Sequence, residues 1–143
     1  MFEPPMLVVE HRATQPDDTA DANPFQGRRI GQYTLGARLG IGGMSIVYAA
    51  KQDKPSRSVA IKLLRVGLSG PMAQRRFDRE AEILGRLRHP AIAQIYEAGR
   101  YESELGSIPF FAMELLHGAL PLTQYAIEHQ LTVKQRLVLF VEV

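Results

Sequence analysis

The sequence predicts a small α+β domain, and three observations carry that prediction. Three β-rich stretches come first, then one long helical pattern, then two further β-rich stretches, the order of a compact antiparallel sheet with a helix packed on it. Glycine and proline punctuate the changes: glycines at 40, 42 and 43, Gly70-Pro71 before the helix, His89-Pro90 after it. Before residue 30 the chain offers little to bury.

From His11 to about Arg29 the composition turns to Thr, Gln, Pro, Asp and Asn. Such a segment cannot offset its ordering entropy, so a flexible leader is expected over 1–29 and structure from Ile30 or Tyr33 onward. Residues 33–39 alternate as a strand, 40–43 turn the chain, and 45–50 form a second strand. A polar turn over 52–58 leads to a third strand at 58–64. Pro71 is tolerated in a first helical turn, so a helix starts there and runs to about Arg88, where His89-Pro90 stops it. Strands at 93–100 and 108–113 follow, joined by a polar turn at 102–107. A short helix fits 120–128. Thr132-Val133-Lys134-Gln135 has capping-box spacing and opens a last helix. That helix reaches Val143 without a capping signal, so the sequence is expected to continue.

Composition sets outer limits. The 143 residues are enough for one modest core, with 45% hydrophobic and 22% charged residues. A net charge of +2, with scattered basic residues, gives no argument for nucleic acid. No cysteine is present, which excludes a disulfide framework or thiolate metal site and is compatible with a cytoplasmic location. The longest apolar runs, 108–113 and 137–141, are too short to span a membrane, and the first ten residues lack the basic and hydrophobic regions of a secretory signal.

The first chemical signal is Leu39-Gly40-Ile41-Gly42-Gly43-Met44-Ser45-Ile46-Val47-Tyr48. Glycines allow a hairpin tip to approach phosphate oxygens with backbone N–H groups. By itself such a loop reads first as a tight turn that needs φ > 0. Position discriminates. A dinucleotide site would place the glycines between strand and helix, whereas here the β-branched and aromatic residues 46–50 follow them. No Lys-Ser or Lys-Thr pair follows either, so the P-loop pattern fails. A hairpin lid over ATP remains.

The second signal is Val59-Ala60-Ile61-Lys62. A lysine within an apolar strand needs partners for its ammonium, unless it stands on the solvent face of an edge strand. The following helix offers one. Phe77, Ala81, Leu84 and Leu87 recur at helical spacing and mark the buried face, and Glu80 falls at its edge. Glu82 is displaced from Glu80 by roughly 200° and points outward, within reach of Arg86. Periodicity therefore selects Glu80 to meet Lys62.

In order along the chain stand the G-x-G loop, V-A-I-K, Arg79-Glu80-Ala81, His89-Pro90-Ala91-Ile92 and Phe111-Ala112-Met113-Glu114-Leu115. From Tyr33 onward the chain resembles the N-terminal lobe of a eukaryotic-type protein kinase, above all the bacterial (Hanks-type) serine/threonine kinases. The family's third loop glycine falls at Ser45, where bacterial members often carry Ser or Thr.

The resemblance implies a kinase-like lobe at 30–116, built as a five-stranded antiparallel sheet plus the helix the family calls αC. It implies a hinge exit and the first helices of an incomplete second lobe at 117–143. It implies that Gly40, Ile41, Gly42, Gly43, Met44 and Ser45 cover the phosphates of ATP, that Lys62 contacts the α- and β-phosphates, and that Glu80 holds Lys62. Leu39, Val47 and Ala60 would sandwich the adenine, Met113 would guard the back of the pocket, and Glu114 and Leu116 would bond adenine through the main chain. From periodicity alone, Leu39, Val47, Ala60 and Met113 read first as core residues of any small sheet, and Glu114 could be a polar strand end. His89 is read as a structural helix stop. His11, His117 and His129 have no ligand at metal spacing, so no metal site is expected. Arg75, Arg76 and Arg79 make a basic helix face, solvated or, as the alternative, a docking surface for an acidic partner.

The same family needs a catalytic-loop Asp and Asn and a further Asp for Mg²⁺. Neither H-R-D nor D-F-G occurs, and past Lys62 the sequence has one aspartate, Asp78. Mg²⁺ ligands are thus expected downstream, and this chain alone is expected to be inactive. The implied function is transfer of the ATP γ-phosphate to Ser or Thr of a protein substrate. The alternatives are a nucleotide-binding or scaffolding pseudokinase, or a small β-rich interaction module without nucleotide.

Overall fold

A computed structural model of the chain describes residues 23–67 and 70–142. Its elements run β1 (Arg29–Ile30), β2 (Tyr33–Ile41), β3 (Ser45–Gln52), β4 (Arg57–Leu64), α1 (Pro71–Arg86), β5 (Ile95–Ser103), β6 (Gly106–Glu114), α2 (Leu122–Glu128) and α3 (Val133–Glu142). The strands form one sheet in the order β1-β2-β3-β4-β6-β5, with every neighbouring pair antiparallel. The expected five strands are all present, and the two-residue β1 adds a sixth.

Most of the leader expected over 1–29 lies outside the described residues, but 23–29 belong to the fold. Phe25 is buried and meets the rings of Tyr48 and Tyr101 edge-on at 6.2 and 6.5 Å. A single aromatic among polar residues has no periodicity, so composition alone could not separate it from the leader.

The sheet is curled. In flat order β2 and β5 are separated by four strand spacings, about 19 Å. Yet the Tyr33 hydroxyl on β2 donates to the Glu97 carboxylate on β5 at 2.5 Å, and the Tyr33 ring meets Phe110 at 6.2 Å. Register shifts in β2, between Leu35 and Arg38 and between Arg38 and Gly40, supply local bending. Gly99 contributes as well: a Cβ there would stand 3.2 Å from the Phe110 ring.

Cross-strand register assigns the two faces. Val47, Lys62 and Phe111 form one row, and Ala49, Ala60 and Met113 the next, both on the same face. Tyr48, Ile61 and Ala112 lie on the other, inside the curl, where Ile30, Tyr33, Leu35 and Phe110 complete the core. With both faces covered, β4 is buried continuously from Val59 to Leu64.

Helix α1 packs on the Lys62 face, with the Phe77 ring 5.1 Å from that of Phe111. Phe77 and Ala81 are buried and Leu84 half-buried, as their spacing requires. The helix ends at Arg86, two residues before the expected Arg88. Leu87 is extended and 40% exposed, so it does not belong to the buried face. The reason is local competition: His89 Nδ1 accepts the Ala91 N–H at 3.1 Å and the His89 carbonyl accepts that of Ile92 at 3.0 Å, a turn incompatible with further helix.

Beyond β6 a smaller cluster joins Ala126, Leu131 and Leu139. The capping box is formed: Gln135 N–H donates to Thr132 Oγ1 at 3.3 Å and Thr132 N–H to Gln135 Oε1 at 2.8 Å. Among the described residues no helix is long and apolar enough to cross a membrane.

Candidate functional site

The face that carries Val47, Ala60, Lys62 and Met113 is covered by α1 at its Phe111 end. The β2–β3 hairpin, which leads into the strand carrying Val47, is closed by a hydrogen bond from Gly42 N–H to the Ser45 carbonyl at 2.7 Å. Gly40 and Gly43 in that hairpin have φ outside the left-handed region, and a Cβ on either would meet nothing within 4 Å. Neither glycine is therefore needed for turn geometry or for packing. Their only consequence is open space around the backbone.

Lys62 is almost fully buried, at 2% exposure, and its Nζ donates to Glu80 Oε1 at 2.5 Å. The Phe111 ring centroid lies 5.5 Å from the ammonium and adds a cation–π contact. Burial pushes the Lys62 pKa below the ordinary lysine value, and Glu80 opposes that by hydrogen bond and charge. Glu82, by contrast, pairs with Arg86 on the exposed surface. The selection of Glu80 over Glu82 by helical phase is the observed one.

The remaining predicted site residues differ in burial and bonding. Leu39 is 53% exposed, an apolar side chain with no core role. Ile41, Met44, Val47 and Met113 are half-buried and Ala60 buried. Ser45 is not at the hairpin tip: it is the first residue of β3, buried opposite Leu64. Glu114 ends β6 and grips the start of β5, its N–H donating to the Gln94 carbonyl at 2.9 Å while its carboxylate accepts the Gln94 N–H at 3.3 Å. Glu114 is thus more than a polar strand end. Leu116 lies two residues beyond, half-buried.

Sequence reasoning missed Phe111 and Arg65. Phe111 could have been found from register, since it stands directly across from Lys62. Arg65 bonds the hairpin tip, a relation that no spacing along one strand reveals. Arg75, Arg76 and Arg79 are all exposed. Among the described residues no three His, Asp or Glu side chains gather to hold a metal.

Residues 33–141 match the family model described as protein kinase domain. The chain is 42% identical over 88 residues to serine/threonine-protein kinase PknB of Mycobacterium tuberculosis, covering 61% of this chain and 14% of the relative. It is 44% identical over 94 residues to a probable serine/threonine-protein kinase of Streptomyces coelicolor, covering 64% of this chain and 14% of that one. The crystal structure of the Mycobacterium tuberculosis PknI kinase domain superposes with a TM-score of 0.58 at 27% identity, over 76% of this chain and 42% of the other. The chain thus spans about one-seventh of the length of these curated relatives.

Proposed function

The chain belongs to the protein kinase family, and from that premise we propose that it forms the ATP-binding lobe of a bacterial serine/threonine kinase. The supporting observation is a juxtaposition. A buried lysine held by Glu80 shares a sheet face with Val47 and Ala60, and the hairpin that leads into the Val47 strand carries Gly40 and Gly43 with open space the fold does not require.

In this reading the adenine lies between Leu39 and Val47 above and Ala60, with Met113 behind, and bonds the main chain of Glu114 and Leu116. The hairpin backbone over 40–45 covers the phosphates, since N–H groups without Cβ atoms can approach oxygens closely. Lys62 neutralises the α- and β-phosphates from a buried, preorganised position, where a charge acts more strongly than in water. Glu80 keeps the ammonium charged and aimed. Mg²⁺ would neutralise phosphate charge, but the described residues supply no ligand set for it. Its ligands, and the residue that positions the acceptor hydroxyl, would come from elsewhere in the whole protein. This chain alone then binds nucleotide without transferring phosphate. The site of action is the cytoplasm, and the acceptor is a Ser or Thr hydroxyl of a protein.

The test titrates ATP and Mg²⁺ into the full-length protein and its Lys62→Met variant, alongside a phosphorylation assay on a protein substrate. Transfer by the wild type and its loss in the variant are expected. Binding without transfer in the wild type would make the protein a nucleotide-binding scaffold, and no binding of any adenine nucleotide would overturn the proposal.

A further inference from the structure

Arg65 follows β4 directly and lies three residues past Lys62, so strand alternation places its side chain on the face opposite the ammonium. Both of its bonds go to the tip of the glycine hairpin. Its backbone N–H donates to the Met44 carbonyl at 2.8 Å, extending the β3–β4 ladder one step past the Ser45–Leu64 pair. Its guanidinium Nη1 donates to the Gly42 carbonyl at 3.4 Å. The side chain is half-buried and lines a narrow crevice with Val66, Leu105 and Ser107.

A peptide unit is planar and, in the trans form found here, its C=O and N–H point in opposite directions. A cation that draws the Gly42 carbonyl toward the face opposite Lys62 therefore turns the Gly43 N–H toward the cleft. A tip containing two adjacent glycines has little intrinsic preference for either orientation of this peptide. With open space around Gly43, no side-chain packing selects one. Among the described residues, the Arg65 guanidinium is the side-chain group that bonds this carbonyl.

We infer that Arg65 is a positioning residue for the phosphate-covering loop: from behind the sheet it fixes the 42–43 peptide so that the Gly43 N–H is aimed at an anionic ligand in the cleft. This inference rests on the nucleotide reading above for the identity of the ligand, but not for the latch itself. Arg65 touches no phosphate. It acts by orienting a donor before the ligand arrives, which strengthens binding of the polyphosphate while leaving the base untouched.

The test uses the full-length protein with Arg65→Met, which keeps an aliphatic stem without donors, and Arg65→Lys. Hydrogen exchange over residues 42–46 is measured without ligand, and affinities are measured for ATP and for adenosine. Arg65→Met is expected to speed exchange over these residues and to weaken ATP about fivefold with adenosine unchanged, the size of one ordinary net hydrogen bond. Arg65→Lys should recover part of both. Equal losses for ATP and adenosine, or unchanged exchange in Arg65→Met, would overturn the inference. A wild type that binds neither ligand would sink the nucleotide reading, and the exchange result would then decide the latch alone.

Discussion

Lys62 on β4 and Glu80 on α1 meet at 2.5 Å, with the lysine side chain 3% exposed and the glutamate 34%. The pair is asymmetric: one charge is out of water, the other at its edge. A buried ammonium is costly, and its partner limits that cost without making the pair a net source of stability. The arrangement is better explained by what the ammonium can bind than by what it adds to folding.

Lys62→Met should accordingly leave the fold intact and change its pH response. Burial lowers the folded-state pKa of Lys62 below 10.5, so between that lowered value and 10.5 the unfolded chain binds more protons. Stability must then rise with pH through this window, and below it the folded state carries the full cost of the buried charge. Tyr33 has the opposite sign. Its hydroxyl is pushed up to about 12, chiefly by burial and then by Glu97, so its contribution is complete below pH 10.0 and lost as pH climbs toward about 12. Urea unfolding across the alkaline range should show Lys62→Met without the rise and Tyr33→Phe with a smaller fall. Glu80→Ala, which strands the ammonium, should cost about 1 to 2 kcal/mol, with the partial exposure of Glu80 keeping the loss below that of a fully buried pair.

Glycines separate folding from binding. Gly40→Ala and Gly43→Ala add a Cβ into open space at unstrained φ, so the melting temperature should hold or rise slightly. ATP affinity should fall about tenfold in each, the effect of crowding a close contact. Gly99→Ala should do the reverse: its Cβ would press on the Phe110 ring at 3.2 Å, lowering stability by about 1 kcal/mol with ATP affinity retained.

Phe25 sets the start of the fold. It is 5% exposed within the inner core, and Phe25→Ala should cost about 3 kcal/mol, read by chemical denaturation. A loss below about 0.5 kcal/mol, the range of surface substitutions, would return residues 23–29 to the leader.

The Thr132–Gln135 box predicts a local effect. Thr132→Ala removes the side-chain acceptor of the Gln135 N–H and should cost about 1 kcal/mol. Faster hydrogen exchange confined to the first turn of α3 would show that the cap, and no wider contact, is responsible.

The sequence by itself determined the strand and helix order, the glycine hairpin, and the choice of Glu80 over Glu82. Each rests on periodicity or local turn chemistry, which act within a few residues. The same locality explains the helix end, where the stop was visible at His89-Pro90 but its turn reached back to Leu87. Other relations needed the third dimension. The curl that brings Tyr33 to Glu97 crosses the whole sheet. The burial of Phe25 depends on the rings of Tyr48 on β3 and Tyr101 on β5, strands that are not neighbours in the sheet. The Arg65–Gly42 bond joins residues 23 positions apart through a register no single strand encodes. Lysine and glutamate were nameable from the chain; that Lys62 stands on one face with Val47, Ala60 and Met113 was decided by cross-strand pairing.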